Sequence, residues 1–421
     1  MKIQEIYIDG YKNIVNTHLL FEKSMIALLS RNNYGKTNVL SGIKEGFKFL
    51  SGDNMFAAEY IEKKPYRDAF NKKNSKFTFG IKFLLSDAIC KTYHYRFSIG
   101  NIGNQYQYGI CEEELSFITV NDAESCLLKR DTQNIGDVFL YNVEDNNDFS
   151  LFCAYDSLSL LYLRAFSEAP MHKSDNDTLG VFTNTLTEIR NVFKSLTEKS
   201  IGKFIIDETT SCKDFSTIAQ KISHSNEYYA DKLKKLNNYF VNLYFHQYKE
   251  VIIEEFVGEP HLIFMRKEDN KKETIETLSF GTRRVLRILC EVIINESPLI
   301  FIEELENGIH PKMFIDVMNK LYNIVNDSEN QTRLIVTSHS VSLVNLFSFN
   351  LQLIHFGFKE SLAYKNQNHT KVRFARFSKD GISKINKEMK RIMSITNVGE
   401  FIYDYEDVPK LQKKLRSWLE R

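Results

Sequence analysis

The chain lacks the residues that mark disulfide-stapled and collagen-like proteins. Its 421 residues include only six cysteines, six prolines and one tryptophan. No two cysteines form a C-x-x-C pair, so the sequence offers neither zinc-binding spacing nor a compact disulfide framework. The expectation is a protein whose thiols stay reduced.

Long apolar runs and an excess of one charge are also missing. No run approaches the roughly 20 apolar residues of a membrane helix. The N-terminal MKIQEIYID alternates like a strand and does not resemble the apolar core of a signal peptide. Lysine and arginine number 55 against 54 acidic residues, so no global basic field points to nucleic acid. These absences predict a cytoplasmic protein with no membrane partner.

The composition is that of a globular protein, 43% hydrophobic, and its patterns divide the chain into four regions. Residues 251–345 alternate strands and helices, which is typical of an α/β fold with a parallel sheet. Residues 1–120 contain strands, a helix and an aromatic meander at 76–120. Residues 121–250 begin as a polar loop carrying the strand VFLYNV and continue as a mostly helical insertion that includes TLTEIRNVFKSLTEK. After the α/β region 251–345, residues 346–421 form a tail with one strand pair and charged helices.

The individual elements around the motifs follow from the same periodicity. Residues 18–29 predict one strand, and the helix after it carries apolar residues at helical spacing from Val39 to Leu50. The later predictions are a helix over 280–295, a strand over 298–303, a helix over 311–326 and a strand over 332–337.

The first chemical motif is SRNNYGKT, which follows an apolar strand and opens a helix. It compares with G-x-x-x-x-G-K-[ST], a loop whose backbone N–H groups wrap phosphates. Lys36 would reach the β and γ phosphates, and the Thr37 hydroxyl would ligate Mg²⁺. Ser30 stands where that pattern has its first glycine, and a chance turn before a helix is the alternative. The predicted nucleotide-binding residues are Ser30, Asn32, Asn33, Gly35, Lys36, Thr37 and Asn38.

The second motif is an apolar strand, PLIFI, that ends in Glu303 and Glu304. At the carboxyl edge of a parallel sheet, one acid can hold the water shell of Mg²⁺ while the next orients or deprotonates an attacking water. Glu303 stands where aspartate is usual, which predicts a longer or water-mediated metal contact. The alternative is a buried strand followed by solvated acids.

Two further motifs complete the set. LSFGTRR opens an apolar-periodic helix, where Ser279 and Gly281 would make a second anion site at the helix N-terminus. The alternative is a capped helix with an exposed arginine pair. The strand LIVTSH ends in His339, which can touch a γ-phosphate or the attacking water, with a structural histidine as the alternative.

Together, in this order, the four motifs resemble those of ABC-type ATPases of the SMC, RecF and OLD group. The resemblance covers roughly the first 100 residues and residues 250–345. The stretch EELENGIHP is similar to the DEPENGLHP stretch of compact AAA-like ATPases of prokaryotic phage-defence systems, including the ATPase subunit of PARIS-type systems. The resemblance implies an α/β fold, that of an ABC ATPase-like P-loop NTPase with an antiparallel β subdomain and a helical insertion.

The resemblance also implies a role for each motif residue. Its cofactors would be ATP and Mg²⁺, with Lys36 and Thr37 on phosphate and metal. Glu303 would take the metal role, Glu304 would be the catalytic base and His339 the switch residue. Ser279 and Gly281 would cap the γ-phosphate of the ATP bound by a second copy, so the chain would form a head-to-tail dimer or a higher homo-oligomer.

Other positions carry weaker implications from the same resemblance. Asn13, or Lys12 beside it, would lie near the nucleotide base. Glu306, Asn307 and His310 would lie at the dimer interface, and a loop leading into the helix at Pro311 is the alternative for His310.

The expected function is an ATP-dependent dimer that regulates a separate effector in antiphage defence. The tail after His339 is short and lacks the D-x-D cluster of the OLD nucleases. One alternative is a RecF- or SMC-like DNA-repair ATPase, in which lysines such as Lys234 and Lys235 would contact DNA. Another is a nucleotide-gated scaffold that does not hydrolyse ATP, because Ser30 and Glu303 depart from the family pattern.

Overall fold

The structure is a computed structural model that describes nineteen stretches of the chain. They are residues 2–30, 34–51, 76–85, 91–102, 107–118, 124–130, 137–142, 147–152, 158, 205–206, 212–223, 227–241, 247–295, 299–327, 332–340, 343, 351–360, 371–391 and 417–419.

Strands and helices of the described residues are numbered in chain order. The strands are β1 (Lys2–Asp9), β2 (Thr17–Leu20), β3 (Met25–Leu29), β4 (Phe77–Leu84), β5 (Thr92–Ile102), β6 (Gln107–Ile118), β7 (Glu124–Arg130), β8 (Asp137–Asn142), β9 (Asn147–Phe152), β10 (Ile205–Ile206), β11 (Tyr248–Phe256), β12 (Glu259–Arg266), β13 (Lys272–Thr274), β14 (Leu299–Ile302), β15 (Arg333–Ser338), β16 (Ile354–Glu360) and β17 (Lys371–Ala375). The helices are α1 (Lys36–Ser51), α2 (Cys212–Ser223), α3 (Glu227–Val241), α4 (Phe280–Cys290), α5 (Pro311–Asn326) and α6 (Lys379–Arg391).

The chain divides into two compact units. The first unit comprises residues 1–21, 30–202 and 356–375, and the second comprises residues 22–29, 203–355 and 376–421. The chain passes between them more than once. The domain boundaries expected at residues 120, 250 and 345 remain predictions.

An antiparallel sheet forms most of the described first unit. Eight strands lie in the order β2-β1-β4-β5-β6-β7-β8-β9. Helix α1 packs on this sheet through its apolar stripe, and the rings of Phe47 and Phe79 lie 5.3 Å apart. The meander expected at 76–120 is confirmed as β4, β5 and β6, and β16 pairs with β17 as the expected strand pair of the tail.

The strand VFLYNV expected within residues 121–150 is confirmed as β8, whereas the polar loop expected around it is wrong. Strands β7, β8 and β9 extend the antiparallel sheet there, so the region taken as a mostly helical insertion begins with β structure. Leu128 and Leu140 are buried and pair with each other across β7 and β8. Helices α2 and α3 supply helical structure within the region 121–250, and TLTEIRNVFKSLTEK lies outside the described residues.

Parallel strands form the centre of the second unit. They lie in the order β10-β14-β15-β3, with Ile302 paired to Val336 and Val336 to Ala27. Every residue of β3, β14 and β15 is buried, as expected for strands covered on both faces. The helix expected over 311–326 is confirmed as α5, and the helix over 280–295 is α4 followed by one π-helical segment, Glu291–Asn295.

The single strand expected over residues 18–29 is two strands. β2 alternates between buried and half-buried positions, whereas β3 is buried throughout. Exposed Glu22 and Lys23 lie between them in a bend. The change of burial pattern explains the break, because β2 belongs to an antiparallel sheet and β3 to parallel strands.

A smaller sheet of the second unit precedes the LSFGTRR motif. Strands β11, β12 and β13 pair antiparallel. Helix α3 packs against β11, where the Asn237 amide donates to the carbonyl of Val251 at 2.8 Å and accepts from its N–H. Among the helices in the described part of the chain, none has the length and hydropathy needed to cross a membrane.

Candidate functional site

In the first unit, Lys36 of the SRNNYGKT motif bonds back to Ser30. The Lys36 ammonium donates to the Ser30 carbonyl at 2.8 Å and approaches its hydroxyl at 3.4 Å, and the lysine is 6% exposed. Lys36 begins α1, and Thr37 follows it with an exposed side chain at the helix N-terminus. Asn32 and Asn33 lie outside the described residues. The lysine is therefore fixed at the point where a helix dipole attracts anions.

Gly35 permits a close contact between the loop and Asn13. Its φ is +85°, and an added Cβ would lie 2.6 Å from the Asn13 side-chain oxygen. The same oxygen accepts a hydrogen bond from the Asn38 amide at 2.8 Å. Asn13 thus braces the loop from an adjoining segment, while Lys12 is exposed and lies 5.5 Å from the ring centre of Tyr11. A role near the nucleotide base stays a prediction for both.

Ser30 occupies space that a glycine on β16 leaves open. A Cβ added to Gly357 would come within 2.8 Å of the Ser30 Cβ. Real Cβ atoms do not approach so closely, so one of the two positions must be glycine in this packing. The departure of Ser30 from the P-loop pattern is accommodated by the strand beside it.

The acid pair of the second unit lies directly after β14, beside the end of β15. The backbone N–H of Glu304 donates to the Thr337 hydroxyl at 2.9 Å, and the N–H of Leu305 donates to the Thr337 carbonyl at 3.3 Å. Glu303 and Glu304 are each half-buried. The carboxyl ends of two adjacent parallel strands therefore bring the acids and the histidine to one sheet edge, as the sequence predicts.

The Glu304 carboxylate is oriented by two side chains. One oxygen lies 2.9 Å from Nε2 of His339, and the other accepts from the Asn307 amide at 2.6 Å. The backbone φ of Glu304 is +46°, a left-handed conformation that costs roughly 1 kcal/mol or more for a residue with a side chain. Such a conformation persists because the surrounding hydrogen bonds determine it.

Glu306 fixes the histidine from the backbone side. One of its carboxylate oxygens accepts from the His339 N–H at 2.6 Å and from the Ser338 hydroxyl at 3.0 Å. Glu306 and Asn307 thus bond within their own chain, and their expected place at a dimer interface stays a prediction. His310 caps α5 by accepting from the Lys312 N–H at 3.3 Å, which confirms the alternative of a loop leading into the helix.

The Ser279 motif caps α4. The Ser279 hydroxyl accepts from the Thr282 N–H at 3.2 Å and lies 2.7 Å from the Thr282 hydroxyl. Gly281 packs so tightly that an added Cβ would overlap the carbonyl oxygen of Gly308. The capped helix is confirmed, and it leaves exposed Ser279 at a helix N-terminus suited to anions.

One member of the arginine pair contradicts the expectation of exposure. Arg284 is 2% exposed, and its guanidinium donates to the carbonyls of both Glu303 and Glu304, the second at 3.0 Å. Sequence reasoning missed this residue and Thr337. The available signal was spacing, since Arg284 lies three residues after Gly281 and four before Ile288 and therefore on the buried face of the helix.

The described cysteines have no place in this chemistry. Cys111, Cys126 and Cys290 are free thiols. Burial raises the pKa of Cys290 to about 12 and that of Cys126 to about 11, so neither thiol ionises near neutral pH. Packing is the role left to both.

The oxygen donors of the motifs fit magnesium. A hydroxyl at Thr37 and a carboxylate at Glu303 are hard ligands of the kind that Mg²⁺ takes, usually together with phosphate oxygens and water. Thr37 belongs to the first unit and Glu303 to the second. When bound, the ion would neutralise phosphate charge.

Comparison with known proteins identifies the family. Residues 31–345 match the family model AAA_21, described as "AAA domain, putative AbiEii toxin, Type IV TA system". No curated protein matches the chain.

Three solved structures of SMC heads are similar at low identity. An SMC head bound to the C-terminal winged-helix domain of ScpA shares 10% identity, with a TM-score of 0.46 over 90% of this chain and 99% of that one. The SMC head from Thermotoga maritima shares 11%, with a TM-score of 0.36 over 90% and 100%. An SMC head bound to the C-terminal domain of ScpA, from Pyrococcus furiosus, shares 11%, with 0.43 over 92% and 99%. On the match over residues 31–345, the chain belongs to the AAA_21 family of AAA-domain ATPases.

Proposed function

We propose that the chain binds ATP with Mg²⁺ and hydrolyses it, with Glu304 as the general base. The observation that carries this proposal is the Glu304 carboxylate, held 2.9 Å from Nε2 of His339 and 2.6 Å from the Asn307 amide at the end of β14. A carboxylate fixed at a sheet edge can orient a water molecule and accept its proton. Its neighbour Glu303 would hold the water shell of the metal.

The phosphates would be bound by the first unit. Lys36, with its ammonium already at the Ser30 carbonyl, would turn to the β and γ phosphates when ATP displaces that contact. Thr37 would ligate Mg²⁺, and the N–H groups of the loop that ends at Gly35 would surround the phosphate oxygens. Asn38, hydrogen-bonded to Asn13, would keep the first turn of α1 in place.

The same proposal includes ATP-dependent dimerisation. Ser279 and Gly281 stand at the N-terminus of α4, where a helix attracts anions, and they would cap the γ-phosphate bound by a second copy. His339 would sense that phosphate through its contact with Glu304. Because ATP would bind the closed dimer better than the separate chains, nucleotide would shift the population toward the dimer.

We further propose that the ATPase regulates a separate effector in a prokaryotic antiphage defence system. The family description, which names a toxin of a type IV toxin–antitoxin system, and the EELENGIHP stretch support this role. Purification of the tagged chain together with the products of its neighbouring genes tests it. Failure of any neighbouring product to bind, with and without ATP, would contradict effector control.

Phosphate release by the purified chain tests the core of the proposal. Glu304→Gln should lower turnover by about 10²- to 10³-fold and keep ATP binding, because the amide still fills the site but cannot accept a proton. Lys36→Ala should lose binding. Glu255→Gln, on the exposed part of β11, is the matched control and should behave as wild type. Equal turnover in all four proteins would refute the assignment, and a wild-type chain that binds ATP without turnover would favour the scaffold.

Light scattering tests the dimer. The Glu304→Gln chain should double its molar mass when ATP and Mg²⁺ are added, and Lys36→Ala should not respond. A molar mass that is independent of nucleotide in both proteins would contradict ATP-dependent dimerisation.

A further inference from the structure

A buried arginine joins the helix that begins after Ser279 to the backbone of the acid pair. Arg284 lies in the second turn of α4 and is 2% exposed. Its guanidinium donates to the carbonyl oxygens of both Glu303 and Glu304. Taking a cation out of water is costly, so its position depends on acceptors that replace the lost hydration.

The two carbonyls are those of the peptides that set the direction of the Glu304 side chain. Glu304 has a φ of +46°, and its N–H is held by Thr337 at 2.9 Å. The arginine holds the carbonyl side of the same residue, so the backbone is fixed on both sides.

A second contact ties the same helix to the same loop. Gly281, in the first turn of α4, lies against the carbonyl oxygen of Gly308. Helix α4 thus contacts both ends of the stretch 303–308: Arg284 bonds at its beginning, and Gly281 packs against its last residue. A movement of the helix N-terminus would therefore be transmitted to Glu304.

We infer that Arg284 is a positioning residue that couples the N-terminus of α4 to the Glu304 carboxylate. The inference rests on the proposed ATPase activity and adds a regulatory consequence to it. A γ-phosphate bound at Ser279 would set the position of α4, and Arg284 would pass that position to Glu304. Hydrolysis would then be fast only when the helix N-terminus is occupied.

The test measures kcat and the affinity for ATP separately in variants of Arg284 and Arg287, two arginines of α4. Arg284→Gln should lower kcat by about 30- to 100-fold per bound nucleotide, while the affinity for ATP changes by less than about threefold. Arg284→Lys should lose about tenfold, because the shorter lysine side chain does not carry its ammonium as far as Nη2, the one arginine nitrogen that donates to both carbonyls. The matched control is Arg287→Lys, one turn along, where the lysine can keep the pair that Arg287 makes with Glu291 at 2.6 Å. This control should retain wild-type kcat.

Each outcome decides the matter. Wild-type kcat per bound nucleotide in both Arg284 variants would overturn the inference alone. An equal loss in Arg287→Lys would also overturn it, because the arginines would then act only through helix stability. If Arg284→Gln does not fold, the comparison of kcat with ATP affinity in Arg284→Lys tests the inference instead. Absence of turnover in the wild-type chain would overturn the inference together with the proposed function.

Discussion

The two units hold their motif residues in different ways. In the first unit, the loop that includes Ser30 and Lys36 is one continuous stretch, where Lys36 bonds to Ser30. Asn13, Gly357 and Lys359 lie against this stretch from other parts of the unit. In the second unit, Glu304 and His339 are held by hydrogen bonds that join α4, the loop after β14 and the end of β15. The motif residues of the first unit are thus neighbours in sequence, whereas those of the second unit are brought together by the sheet.

Of the substitutions that test this difference between the two units, Gly281→Ala in the second unit should lower turnover most. In Gly281→Ala the new Cβ would overlap the Gly308 carbonyl oxygen, so α4 and the loop must separate. We expect turnover to fall by about 10²-fold, because a shift of about 1 Å is enough to misplace a base. ATP binding by the first unit should persist.

Phosphate release and nucleotide binding measure these two quantities. Gly80→Ala is the control, since its Cβ would meet neighbours only at ordinary distances from 3.4 Å upward. If Gly281→Ala lost binding and turnover together, the two units could not be treated as separate contributors.

A smaller effect should follow when one hydrogen bond of the cluster is removed. Asn307→Ala takes away the amide that donates to Glu304 at 2.6 Å. We expect kcat to fall about tenfold, equivalent to about 1.4 kcal/mol, with unchanged affinity for ATP. Steady-state kinetics check this, with Asn319→Ala on the exposed face of α5 as the control. An unchanged kcat would mean that His339 alone orients the carboxylate.

The smallest effect concerns acid stability of the second unit. Burial, with a further contribution from Arg376, lowers the pKa of His355 to about 3 from an ordinary 6.5. The unfolded chain therefore takes up a proton below pH 6.5 that the folded chain does not, so stability is present above that pH and lost as pH falls. Between pH 6.5 and 5 we expect this residue to cost about 1.5 kcal/mol.

Urea unfolding at several pH values tests the prediction for His355. His355→Leu should flatten the dependence over this interval. Equal pH dependence in wild type and His355→Leu would show that other groups cause any acid sensitivity.

Much of the architecture could be predicted from the sequence, because it depends on local periodicity. The apolar runs of β14 and β15 and the helical spacing of apolar residues in α5 predicted these three elements to within a few residues. Strands β7 and β9 were missed, because their sequences, ESCLLKR and NDFSLF, show no regular alternation of apolar and polar residues. Those predictions needed knowledge of the neighbouring strands.

The site divides in the same way. The residues Glu304 and His339 could be named from motifs, and the sheet places them in contact. For Arg284, spacing could indicate only a place on the buried face of α4, and its acceptors could not be named before the structure showed them. Likewise, the relation between Ser30 and Gly357 joins positions 327 residues apart. Such pairs depend on tertiary packing, which spacing within one motif does not encode.

The most direct test of the account is an experimental structure of the Glu304→Gln chain with ATP and Mg²⁺. The account predicts one triphosphate with the Lys36 ammonium within about 3 Å of a β or γ oxygen. The side chains at 303, 304 and 339 should lie about 3 to 4 Å from the γ-phosphate, its metal or the water beside it. A nucleotide bound by Lys36 with the acids and His339 far from its γ-phosphate would contradict the central claim.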